Sequence, residues 1–139
     1  MTAQQKRLVR ESFPEIRRMS GPASLLFYGR LFELDPALRP LFRRDIEIQG
    51  RKLMDMLLAM VDHIDDLEKL MPVFHAMGQR HVGYGVKAEH YQTVSNALIW
   101  AFGQVLGDDF DGALKGAWMS VIDTVSAGMQ EGAAQLSPS

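Results

Sequence analysis

The residues best suited to chemistry lie in one run, Met77-Gly78-Gln79-Arg80-His81-Val82-Gly83-Tyr84-Gly85-Val86, followed by His90-Tyr91. A helical pattern ends on His81, two glycines interrupt it, and a long amphipathic pattern resumes near Tyr91. A neutral imidazole at such a helix end suits a metal or a metal cofactor. Three further residues have types and spacing that suit the other side of one enclosed pocket. Tyr28 lies among apolar residues, Phe42 ends a short helical segment, and Gln49 opens a second long helix. A planar cofactor between the Gln49 and His81 helices would have one axial imidazole. Across from it would stand the Tyr28 hydroxyl, which needs a polar partner among apolar neighbours, and the Gln49 amide.

Other chemistries fit poorly. The chain has no cysteine, which excludes disulfides, thiolate-bound zinc and iron–sulfur clusters. None of the four histidines, His63, His75, His81 and His90, forms an H-x-x-x-H pair. His75 and His81 fall about 240° apart around a helix and cannot share a face. Gly83-Tyr84-Gly85-Val86-Lys87-Ala88 matches G-x-G-x-x-A, but the segment before it is helical rather than a strand, so it reads as an interhelix turn. No G-x-S-x-G elbow is present. The nine methionines sit at helical core positions and read as packing.

The elements that must position these residues are all helical. Periodicity predicts a first helix through Leu8, Phe13 and Ile16, with Pro14 as a bend. A second is capped by Ser20 and carries Leu25, Leu26, Phe27, Leu31 and Phe32. Asp35-Pro36 starts a short helix ending near Phe42, and residues 43–48 read as a polar loop. Helices follow from Gln49 to the Asp65-Asp66 break, from about Leu67 to His81, from about Lys87 to Leu106 with Gly107 as C-terminal cap, and from about Phe110 to Gln130. The final AAQLSPS is expected to fray. The 139 residues are expected to form one all-α domain, 1–139, with a core over about 5–130.

The net charge of −2 offers no general attraction to nucleic acid. Arg39, Arg43, Arg44, Arg51 and Lys52 form a local basic cluster, read as a solvated face unless an anionic ligand lies near. No apolar run approaches the roughly 18 residues needed to span a bilayer. Residues 1–15 have no signal-peptide core. No nucleic-acid or membrane partner is expected, and the cysteine-free composition suits a cytoplasmic setting.

In order and spacing, several segments together resemble the globin family, nearest to bacterial single-domain haemoglobins and the haem module of flavohaemoglobins, with neuroglobins more distant. They are Leu26-Phe27-Tyr28-x-x-Leu31-Phe32, Pro36-x-x-x-Pro40-Leu41-Phe42, Gln49-x-Arg51-Lys52-Leu53-Met54, Gly78-x-Arg80-His81-x-x-Tyr84-Gly85-Val86 and His90-Tyr91-x-x-Val94. The resemblance implies a globin fold around haem b, iron protoporphyrin IX. Position by position it implies that His81 is the proximal iron ligand, Phe42 wedges against the haem, and Tyr28 and Gln49 form the distal pair. Leu53 would lie over the iron, and Met77, Val86, Tyr91, Val94 and Leu98 would line the pocket. Lys52 and Arg80 would meet the propionates.

The implied function is oxygen binding, storage or transport, with carbon monoxide and nitric oxide as further ligands. Nitric oxide dioxygenation is implied if a separate reductase supplies electrons, since the chain has no room for flavin and nicotinamide domains. The alternative is a haem-based gas sensor or partner-signalling module without turnover. The expected state is a monomer or weak homodimer. Flavohaemoglobins place a glutamate against the proximal histidine from the last helix. Counted from Trp118 that position is Ala133, with Glu131 offset by two, and a tyrosine common on the same helix is replaced by Ile122. The departure puts strong proximal push, and peroxidase-like O–O cleavage with it, in doubt.

Overall fold

A computed structural model describes residues 1–42 and 45–136. Among the described residues there are six α-helices: α1 (Ala3–Arg18), α2 (Ser20–Leu34), α3 (Ile46–Asp62), α4 (Met71–Gly83), α5 (Ala88–Leu106) and α6 (Gly112–Leu136). Short 3₁₀ segments span Pro36–Leu41, Ile64–Leu70 and Gly107–Asp109. There is no strand among the described residues, so the all-α expectation holds. Arg43 and Arg44 of the expected basic cluster, part of the expected 43–48 loop, and Ser137-Pro138-Ser139 of the tail lie outside the described residues.

Local chemistry explains most boundaries. Thr2 and Gln5 form a reciprocal capping box at α1, and Pro14 lies inside the helix, which continues to Arg18. Asp35 Oδ1 accepts from the Ala37 N–H at the start of Pro36–Leu41, as the Asp-Pro pair implies. Gly107 ends α5 with φ +62°, a conformation that disfavours a side chain.

Four boundaries differ from expectation. Ser20 is the first residue of α2 rather than its cap. Met19 joins the helices directly, its N–H bonding to carbonyls of Glu15 and Ile16. Gln49 does not open α3. Asp45 caps that helix through the Glu47 N–H, and Gln49 donates its own N–H to the Asp45 carbonyl. α4 begins at Met71, because Pro72 has no N–H and suits a first turn, while Ile64–Leu70 forms a kinked 3₁₀ segment. α6 runs to Leu136 rather than ending at Gln130: Gly132 packs under His75, and Gln135 accepts a 3.3 Å bond from Gln79.

The core centres on Trp118, fully buried, with Phe102 at 4.9 Å and Phe13 at 6.3 Å between ring centroids. Its indole N–H donates to Ser12 Oγ at 2.9 Å, so α1, α5 and α6 meet without leaving that donor unpaired. α2 packs on α5, and α4 on α6. The α4–α6 seam is exceptionally close. A Cβ on Gly78 would stand 1.8 Å from the Met129 carbonyl oxygen, and one on Gly132 2.3 Å from that of His75. α4 packs on neither α3 nor α5 to any comparable extent.

Gly78→Ala is therefore expected to destabilise the fold by about 1–3 kcal/mol, since the backbones must separate. Gly116→Ala, whose Cβ would meet nothing within 4 Å, is expected to stabilise α6 by roughly 0.5–1 kcal/mol. Urea unfolding midpoints of the two variants check this; a Gly78→Ala midpoint equal to wild type would contradict the close seam.

Candidate functional site

His81 lies in the last turn of α4, one turn beyond Met77 and beside the seam with α6. Its Nδ1 is 2.6 Å from the Met77 carbonyl oxygen. Because a carbonyl only accepts, Nδ1 carries the proton and donates, leaving the Nε2 lone pair free. Burial holds the imidazole pKa below its ordinary value. The Met77 hydrogen bond opposes that shift and the Arg80 charge adds to it. The result is a neutral, half-buried imidazole with one oriented nitrogen to offer. Tyr84 stands edge-on to it at 5.5 Å.

Tyr28 sits on α2 and is 5% exposed. Its ring packs against Phe27 at 4.7 Å, Phe42 at 5.5 Å and Phe32 at 6.2 Å. Burial pushes its phenol up to about 12. Among the described residues its hydroxyl has no hydrogen-bond partner. α2 and α3 cross where Gly50 meets Ser24: a Cβ on Gly50 would be 2.9 Å from Ser24 Oγ and 4.0 Å from Tyr28 Cε2. Gln49, the residue before Gly50, is half-buried.

The two halves of the site meet at one corner. Phe42 terminates Pro36–Leu41 against Tyr28, while the adjacent Leu41 reaches the α4–α5 turn, 3.2 Å from where a Gly85 Cβ would be. Gly85 has φ +93°, and the Val86 N–H closes the turn onto the His81 carbonyl. The dinucleotide-like glycines thus form a turn between helices, as expected. On α5, Tyr91, Val94 and Leu98 recur at helical spacing on one face, Leu98 buried and the other two half-buried. Burial also raises the Tyr91 phenol. Leu53, Met77 and Val86 are half-buried, whereas Lys52 and Arg80 are exposed.

Several groups have partners that the sequence did not reveal. Glu131 Oε2 lies 3.5 Å from His75 Nε2, a contact without hydrogen-bond geometry, and not on His81. Ala133 is half-buried and Ile122 buried at the other two positions singled out on α6. His90 accepts the Lys87 N–H through Nδ1 and so caps α5. His63 turns its Nδ1 to the Ala59 carbonyl at the end of α3. Glycines placed at helix spacing in 128 and 132 were the available signal for the α4–α6 seam. The Glu131–His75 pairing had no local signal. An open groove of about 420 Å³ lies elsewhere, between α1 and α3, and contains none of the candidate residues.

With this geometry in hand, comparison places the chain in a family. The globin family model matches residues 25–129, and the chain belongs to that family. It is similar to neuroglobin-2 of Oncorhynchus mykiss, 28% identical over 95% of this chain and 92% of that protein. A flavohemoprotein of Rhodopirellula baltica is 33% identical over 73% of this chain but only 26% of its own length. The chain thus spans about a quarter of that relative. Among solved structures, an engineered carbene transferase derived from a provisionally assigned nitric oxide dioxygenase of Rhodothermus marinus superposes with a TM-score of 0.88. It is 33% identical, covering 98% of this chain and 95% of the other. No described helix is long and apolar enough to cross a membrane.

The raised Tyr28 pKa has a definite sign. A phenol that resists ionisation in the fold contributes stability that is fully present below about 10 and is lost as pH rises through about 12. Ultraviolet titration of the apoprotein should show one phenolate appearing late, near that value, and missing from Tyr28→Phe. Complete ionisation near 10 in wild type would contradict the burial.

Proposed function

We propose that this globin binds haem b through His81 and is an oxygen-binding protein capable of nitric oxide dioxygenation when a separate reductase supplies electrons. The observation that carries the reading is the neutral, half-buried His81 imidazole, its Nδ1 proton fixed on the Met77 carbonyl and its Nε2 left unengaged. The surroundings fit a planar iron porphyrin. α3 and α4 stand apart, and Leu53, Met77, Val86, Tyr91, Val94 and Leu98 offer apolar sides from four parts of the fold. Phe42 is placed to wedge the corner, and the exposed Lys52 and Arg80 can meet the propionates without burying their own charge. Bound there, the cofactor supplies an iron that takes oxygen, nitric oxide or carbon monoxide and exchanges single electrons.

The chain's own residues then select among these gases. Tyr28, neutral at any physiological pH, keeps its O–H proton and has no protein acceptor, so it donates to a polar diatomic ligand. Gln49 adds a second donor from the α3 side. Both favour oxygen, which carries more negative charge when bound, over carbon monoxide. On the opposite side His81 leans on a neutral carbonyl. A carboxylate acceptor would draw the imidazole toward anionic character and raise its basicity. The nearby carboxylate, Glu131, is engaged with His75 instead. This favours retention of oxygen over peroxidase-like O–O cleavage. We assign the protein to the cytoplasm, as a monomer or weak homodimer.

Loss of the Tyr28 donor should speed oxygen release by roughly ten- to a hundredfold, the equivalent of about 1.5–3 kcal/mol. Stopped-flow displacement of oxygen by carbon monoxide in Tyr28→Phe measures this, and an unchanged rate would remove Tyr28 from the mechanism. Glu131→Gln, in contrast, should leave the iron–histidine stretching frequency where wild type has it. A shift to lower frequency would show that the glutamate does reach His81.

A further inference from the structure

We propose that Gly50 is a positioning residue for oxygen retention. By lacking a side chain it sets how closely α3 lies on α2, and with that how far the Tyr28 hydroxyl reaches toward a bound gas. The proposal rests on the haem reading above and on Tyr28 as the donor within it. It adds the residue that fixes the donor's place.

The contact is narrow. A Cβ on Gly50 would stand 2.9 Å from both Cβ and Oγ of Ser24, closer than side-chain atoms pack. The Ser24 Cβ is bonded directly to the α2 backbone and cannot turn aside as the end of a long side chain would. A methyl group at position 50 therefore has to part the two helices. The same Cβ would lie 4.0 Å from Tyr28 Cε2, an ordinary contact, so the phenol ring rests against this point of α3. Ser24 and Tyr28 are one turn apart on the same face of α2, and both are buried. α3 packs on α2 more than on any other element, which makes this crossing the one that holds it. The glycines of α2 itself have no such duty, since a Cβ on Gly21 or Gly29 would meet nothing within 4 Å.

The Tyr28 ring cannot re-aim to compensate. Phe27, Phe42 and Phe32 hold it with centroids at 4.7, 5.5 and 6.2 Å. An interior packed this densely passes a backbone displacement on rather than absorbing it. The hydroxyl has no acceptor among the described residues, so what it gives a guest depends on distance and angle. A hydrogen bond weakens steeply as it lengthens or bends. Gly50 thus acts on the gas only through Tyr28.

The test moves the glycine from one helix to the other. Gly50→Ala should speed oxygen release by roughly three- to tenfold, short of the Tyr28→Phe effect, measured by displacement with carbon monoxide. In the carbonyl form its C–O stretching frequency should rise, because donation to the gas oxygen weakens. In a Tyr28→Phe background the same substitution should change neither quantity. Ser24→Gly added to Gly50→Ala removes the clash and keeps one glycine in the α2–α3 pair, so helix propensity is nearly conserved. That double variant should return the release rate, the C–O stretch and the urea midpoint of the apoprotein toward wild type. Gly29→Ala, beside Tyr28 but facing open space, should leave rate and stretch unchanged. A Gly50→Ala rate equal to wild type, an equal effect with and without Tyr28, or no recovery in the double variant would each overturn the proposal. If Gly50→Ala alone does not fold, the double variant decides: a release rate as fast as that of Tyr28→Phe would overturn it too. Failure of the wild-type chain to take up haem, or a Tyr28→Phe rate equal to wild type, appears before any change at position 50 and would sink the underlying reading first.

Discussion

The structure depends on how closely α4 lies against α6. Gly78 brings the α4 backbone nearer to the Met129 carbonyl than any side chain would permit, and Gly132 repeats the approach beneath His75. Each glycine costs about 1 kcal/mol of helix propensity relative to alanine, and the close packing of two backbones offsets it. The consequence is positional. α4 is held along one side by α6 and is left nearly free of α3 and α5 on the other. His81 and Met77 lie on this helix, so the seam with α6 fixes the position of the proposed ligand.

The second constraint is electrical. Burial acts on His81 and Tyr28 in opposite directions on the pKa scale and yet with one outcome, since each is kept uncharged. A neutral imidazole can ligate and a neutral phenol can donate. Ionisation of either would end its proposed role. Glu131 lies 3.5 Å from His75 Nε2, a turn and a half along α4 from the proposed ligand.

Much of this was legible in the residues, because helix ends announce themselves chemically. Asp35-Pro36 and Gly107 mark boundaries that the backbone then obeys, and the G-x-G-x-x-A match failed for the stated reason that no strand precedes it. Tyr28 and Phe42 do meet, and Gly50, the residue after Gln49, approaches Ser24 and Tyr28, although no periodicity in the chain fixes that contact. What stayed hidden was set by tertiary contact. A glycine inside a helix reads only as a weakness until its neighbour is known, so Gly78 gave no hint of the seam. The end of α6 looked frayed because the bond between Gln79 and Gln135 spans helices distant in sequence. The offset of Glu131 was visible by counting, but its partnership with His75 was not.

His81 is the proposed iron ligand, and the protein orients it through the Met77 carbonyl. Replacing the side chain by an exogenous one tests this most directly. The visible spectrum of haem-loaded His81→Gly should differ from wild type in the ferrous state, and added imidazole should restore the wild-type bands, because the cavity left behind accepts the free ring. A variant whose ferrous spectrum already matches wild type, with no response to imidazole, would show that another residue holds the iron and would contradict the account.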